Sequence, residues 1–173
     1  MQYSMNSLFL VTIDCREIDF TAQMLSGKKK WEFRANENFG KAEGLTIGDV
    51  MFFIDINDTF EIKAAAVITA VLRGSEMLCF FNDKSSGHWR DAACEENTNR
   101  DWDFFLNTIL TQYHCAIGLE PFPIDPVIPI TEIRYKYKEG SLNPQGMIKI
   151  VSLNRRFEIQ GMQVEDYFRN ILK

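Results

Sequence analysis

The chain has 173 residues, 46% of them hydrophobic, and a formal net charge of −5. That is enough apolar material for one globular core and too little positive charge for a protein that coats long polyanions by bulk electrostatics. An aromatic content of 13%, with 14 Phe, excludes intrinsic disorder, and apolar runs such as Val50 to Ile54 are far too short to span a bilayer.

Leu8 to Ile13, rich in β-formers, reads as a first strand; no basic region precedes it, so it does not read as a secretory leader. Residues 17–26 place Ile18, Ala22 and Leu25 at helical spacing, with Gly27 as C-cap. KWEFR then alternates, sending Trp31 and Phe33 to one face and Lys30, Glu32 and Arg34 to the other. After a polar loop with Gly40 and Gly44, Gly48-Asp49 forms a tight turn feeding VMFFIDI, apolar enough for burial on both faces. FEIKAAAVITAVLR is a long strand with Ile62, Ala64, Ala66, Ile68, Ala70 and Leu72 alternating on one face. Residues 82–100 read as a polar surface loop. Thr98 then caps a helix over 99–113, whose stripe is Trp102, Phe105, Leu106, Ile109 and Tyr113. HCAIGLEPF, VIPITEIRY and GMIKIV are later strands, and Val164, Tyr167, Phe168 and Ile171 mark a last amphipathic helix over 163–172. Several strands, few helices and no βαβ rhythm predict an α+β fold with a curled, mostly antiparallel sheet closing as a small open barrel. One domain spans 1–173, with 152–173 as a helical appendage packed on it.

The chemically distinctive stretch is SGKKKWEFR, residues 26–34, with four cations around one acid. Lys29 in the turn and Glu32 and Arg34 on one strand face converge on a groove. There they can hold a phosphate or a base edge, or serve as a lysine–glutamate acid/base pair for hydrolysis. The bland reading, a solvated lysine run with an ordinary surface ion pair, carries about even weight. As exposed cleft residues, Lys29 and Arg34 are predicted to tolerate alanine with thermal stability almost unchanged and ligand binding lost.

Gly27, Lys29, Glu32 and Arg34 match G-x-K-x-x-E-x-R and resemble the signature of the ASCH domain (activating signal cointegrator homology), in the PUA-like superfamily of small β-barrels. IGDVMFF and NPQGMIKI fit that family's turn-and-strand and late barrel strand, so the resemblance runs over roughly residues 7–151. It implies a PUA-like open barrel with flanking helices that binds RNA or a nucleotide in a cleft lined by Lys29, Glu32 and Arg34. Some members look like amidohydrolases of acylated cytidine, and one kind resembles a ribonuclease. In the amidohydrolase pattern a threonine stands where this chain has Glu32. That removes the nucleophile and predicts no appreciable deacylation, although a glutamate could activate water.

IRYKYKEG, residues 133–140, interleaves Arg134, Lys136 and Lys138 with Tyr135 and Tyr137; an edge strand guarded by charge is favoured about two to one over a track for a nucleic-acid backbone. With only Lys29 and Arg34 offered to phosphate, binding is predicted to show a shallow log-log salt slope near about −2. Trp89, in the polar loop, could lid the cleft or cover a local apolar patch, and Gln145 could reach a base edge. No metal is expected, since His114 and Cys115 adjoin in a strand and His88 with Cys94 supplies too few ligands. No cofactor or membrane is expected. The scattered Cys15, Cys79, Cys94 and Cys115 suggest reduced thiols in the cytoplasm. The acidic stretch 90–103 offers a third function class, a protein-interaction module.

Overall fold

The computed structural model describes residues 6–35, 44–57, 59–89, 102 and 110–173. Of the helix expected over 99–113, Trp102 and residues 110–113 are described, and Leu110–Gln112 is helical; Thr98, Phe105, Leu106 and Ile109, the rest of the acidic stretch 90–103, Gly40 and Cys94 lie outside the described residues.

In chain order the strands are β1 (Leu8–Asp14), β2 (Trp31–Arg34), β3 (Val50–Ile56), β4 (Glu61–Arg73), β5 (Cys115–Pro129), β6 (Ile133–Tyr135), β7 (Met147–Lys149), β8 (Phe157–Ile159) and β9 (Met162–Gln163). Among the described residues the longer helices are α1 (Phe20–Leu25), α2 (Ser75–Phe81) and α3 (Val164–Ile171), and a short helical turn, Leu110–Gln112, precedes β5. A six-stranded sheet runs β2-β5-β4-β3-β1-β7, and a three-stranded sheet runs β6-β8-β9. Among the described residues only β1 and β3 pair in parallel; the other ladders are antiparallel. This curled half-barrel with flanking helices is the α+β, mostly antiparallel open barrel that the pattern predicts.

The apolar runs of β1 and β3 are explained by burial on both faces. Leu8, Leu10, Val50, Phe52 and Ile54 enter one core, closed by α3 and the small sheet through Val164, Phe168, Phe157 and Ile159. Phe9, Val11, Met51 and Phe53 enter the other, closed by Met24 of α1. The single alternating face expected of β4 is not kept. Register shifts between Ile62 and Ala64, and between Ile68 and Ala70, turn the strand over twice. Ile62 therefore joins the first core, Ile68 the second, and Leu72 packs under α2. Each bulge adds a residue and reverses the side-chain phase. At the second bulge β5 carries Gly118, where a Cβ would lie 2.8 Å from Thr69 Oγ1.

Three further readings are corrected. The first helix starts at Phe20, where the Asp19 carboxylate caps Ala22 N at 3.0 Å, and it buries Thr21, Gln23 and Met24 while Leu25 faces solvent. α2 lies between the strand read to Arg73 and the loop read from residue 82, in a stretch given no element: seven residues show barely two turns of period, although Met77 and Phe81 sit at i, i+4. The strands read separately at 114–122 and 127–135 are one long β5 followed by a short turn and β6. Among the described residues no helix is long and apolar enough to cross a membrane.

Candidate functional site at the barrel seam

α1 delivers the site through its C-terminus. Gly27 adopts φ +83°, a left-handed conformation that glycine enters at least cost, and its N–H donates to Met24 O at 3.1 Å. The Gln23 carbonyl then accepts from both Lys28 N (2.9 Å) and Lys29 N (3.0 Å), which folds the lysine turn back onto the helix. β2 follows at the edge of the sheet. Its Trp31 and Phe33 rings lie 5.2 and 5.3 Å from Phe81 of α2, so Glu32 and Arg34 point to the opposite, α1 side.

There Lys29 Nζ lies 3.0 Å from Glu32 Oε2, and Arg34 Nε lies 3.0 Å from Glu32 Oε1. Lys29 Nζ also donates to Trp31 O at 2.8 Å and stands 5.0 Å from the centre of the Phe20 ring. Arg34 Nη2 donates to Thr12 O of β1 at 2.7 Å. In sheet order β5, β4 and β3 separate β2 from β1. That one hydrogen bond therefore spans the open seam of the half-barrel, and curling of the sheet brings its two flanks together. The three residues expected to converge do so. They are not the exposed groups anticipated: the Lys29 and Glu32 side chains are 8% and 9% exposed and Arg34 13%. The expectation that alanine at Lys29 or Arg34 leaves stability unchanged is accordingly withdrawn.

No protein-family model matches the chain, and no curated protein does. Solved structures do. A crystal structure of a mutant ASCH protein from Zymomonas mobilis superposes with a TM-score of 0.54 at 18% identity, covering 94% of this chain and 95% of that one. A second crystal structure of ASCH from the same organism gives 0.52 at 20% identity, covering 82% and 86%. The fold is that of ASCH domains.

Within this ASCH fold the electrostatics of the triad follow from burial and pairing. Burial alone would push the Glu32 carboxyl up, but Lys29 and then Arg34 outweigh it and hold the group below the usual carboxylate range. A carboxyl lowered by folding stabilises the protein fully above its unfolded value of about 4.3 and loses that contribution as the pH falls through the lower folded value. Acid titration followed by circular dichroism should therefore show stability falling below about pH 4. Glu32→Gln, with no charge to lose, should show a weaker dependence in that window.

Trp89 is 8% exposed, packs with Met77 and Phe81, and donates its indole N–H to Lys84 O at 3.2 Å. It covers an apolar patch. Gln145 is exposed and precedes Gly146, whose carbonyl accepts from Thr12 N at 2.9 Å and Thr12 Oγ1 at 3.2 Å. Thr12 thus links the strand that Arg34 reaches to the loop that carries Gln145. Asp49, in the turn after Gly48, accepts from Ser7 N and Thr46 N, each at 2.9 Å, and is structural. Cys15, Cys79 and Cys115 carry free thiols.

The sequence reading missed a second polar cluster on the other flank of α1. Thr21 donates to the buried Asp55 carboxylate, Lys63 Nζ lies 3.6 Å from Asp55 Oδ2, and Cys15 Sγ lies 3.7 Å from Thr21 Oγ1. The Cys15, Asp19 and Asp55 ligand atoms fall within 4.8 Å of one another. Asp55 is already engaged by Thr21 and Lys63, and Asp19 caps α1. The signal available was a lone aspartate inside the apolar run VMFFIDI.

Proposed function

We propose that the chain is an RNA-binding domain of the PUA-like kind, reading a nucleobase at the barrel seam. The observation that carries this is a buried charged triad, one carboxylate between two cations, set where β2 meets β1. Buried ion pairs are often no more stabilising than apolar residues of similar volume, so stability alone is a weak reason to keep one. Nε of Arg34 faces Glu32 and Nη2 serves Thr12, while Nη1 donates no hydrogen bond to a described residue. With the exposed Gln145 amide on the Thr12-bonded loop, it supplies donors and an acceptor suited to a base edge. Lys29 and Glu32 orient the guanidinium.

The depressed Glu32 carboxyl favours binding over hydrolysis, because a general base near neutral pH needs its pKa raised towards 7. Titration with a panel of nucleoside monophosphates, followed by amide NMR, should shift Thr12, Arg34 and Gln145–Gly146. Shifts confined to other regions would sink this reading. Incubation with acylated cytidine should release no acid. Turnover abolished by Glu32→Gln would move the protein into the hydrolases.

A further inference from the structure

A second charged surface lies on the small sheet, away from the triad's elements. β6 pairs with β8, placing Tyr135 opposite Phe157, and Lys136 N donates to Arg156 O at 2.9 Å. Two short segments, 134–138 and 155–156, are thereby joined side by side. The Tyr135 and Phe157 rings pack 4.3 Å apart, Lys138 Nζ sits 4.1 Å from the Tyr135 centroid, and Arg156 Cζ lies 5.5 Å from that of Phe157. The result is a ladder of cation, ring, ring and cation that holds two long side chains in place. Arg155 is exposed and Lys136 half-buried, and neither forms an ion pair with a described residue. Tyr137, between the two lysines, is 88% exposed.

We propose that this surface holds the backbone of single-stranded RNA, with Tyr137 stacking on a base. It rests on the reading of RNA as the ligand and not on the triad. The segments carry Arg134, Lys136, Lys138, Arg155 and Arg156 against Glu139 and Glu158, a local positive excess in a chain of net charge −5. Charge guarding an edge strand explains the lysines but not a tyrosine left almost wholly in water between them. Cations interleaved with an exposed aromatic are what a single strand uses, since phosphates take the charges and any base offers a π-face. Aromatic anchoring of Lys138 and Arg156 also lowers the entropy lost when a phosphate binds. The shallow salt slope expected from the triad is replaced by a steeper one. With Arg134 opposite Glu158 across the β6–β8 ladder, the other four cations on a single strand give about −3, at roughly −0.7 per phosphate.

The test is fluorescence anisotropy with a labelled oligouridylate about 12 nucleotides long, at several salt concentrations, beside uridine monophosphate. The wild type should bind the oligomer at least tenfold more tightly than the monophosphate, with a slope near about −3. Lys136→Gln with Arg155→Gln should roughly halve the slope, and Tyr137→Ala should weaken binding at least about fivefold while leaving the slope unchanged. All three side chains are exposed or half-buried, so melting temperatures should match the wild type. An oligomer that binds no better than the monophosphate, or equally well to these variants, overturns the proposal while leaving the seam reading intact. Seam amides unmoved by the monophosphate, with patch-dependent oligomer binding, would sink the seam reading alone. Patch-dependent binding to phosphatidylserine vesicles without RNA binding overturns the proposal in favour of a membrane surface.

Discussion

Glu32→Gln is expected to lower the unfolding free energy by about 3–5 kcal/mol, because it leaves Lys29 and Arg34 buried without their counter-charge. For a domain of this size that is a fall in melting temperature on the order of 10 °C. Lys29 Nζ would keep Trp31 O and Arg34 would keep Thr12 O, but both cations would lose an ionised partner at 3.0 Å. Urea denaturation at pH 7 measures the loss, and a change below about 1 kcal/mol would mean that the pairs behave as solvated ones. The informative companion is Lys29→Met, Glu32→Leu and Arg34→Met made together. Removing all three charges should restore most of the stability, since an apolar replacement of a buried ion cluster is commonly neutral or better. The same variant should bind no nucleotide at the seam, separating what the triad does for folding from what it does for ligand.

Phe168→Ala is expected to cost about 3–5 kcal/mol. The Phe168 ring is fully buried, 4.7 Å from that of Phe52 on β3, and beside it Val164 is fully buried as well. α3 is held further by Arg169 Nη2 donating to Asn6 O at 2.9 Å, which ties the C-terminal helix to the segment preceding β1. Thermal unfolding should remain a single transition displaced to lower temperature. A wild-type midpoint with only α3 melting early would mean that residues after 152 fold as a separate, dispensable unit.

How much was legible follows from what each signal measures. Alternation in KWEFR and the two-sided apolar runs of β1 and β3 report burial directly, so strands and facings were readable. The four residues of the signature turn placed the triad. Its burial was hidden, because whether a charge lies in solvent or beneath a curled sheet depends on Thr12, far away in sequence. Bulges in β4 were hidden for a similar reason: they follow from register against β5, and FEIKAAAVITAVLR alternates acceptably without them. Helix α2 was too short to show a period. The tyrosine-lysine stretch was read, but its partner at Arg155–Arg156 emerged only once β6 lay beside β8.

The parallel pairing of β1 with β3 requires the chain to leave one strand and return beside it. α1, the lysine turn and β2 all belong to that excursion, and β2 docks on β5 at the far margin of the sheet. The recognition apparatus is therefore also a strap, lacing the middle of the sheet to its outermost strand. Anything that grips the strap in its native place weights the balance against unlacing by RT ln(1 + [L]/Kd). Occupancy of the seam and the cooperativity with which the whole sheet comes apart are in this way one thermodynamic quantity.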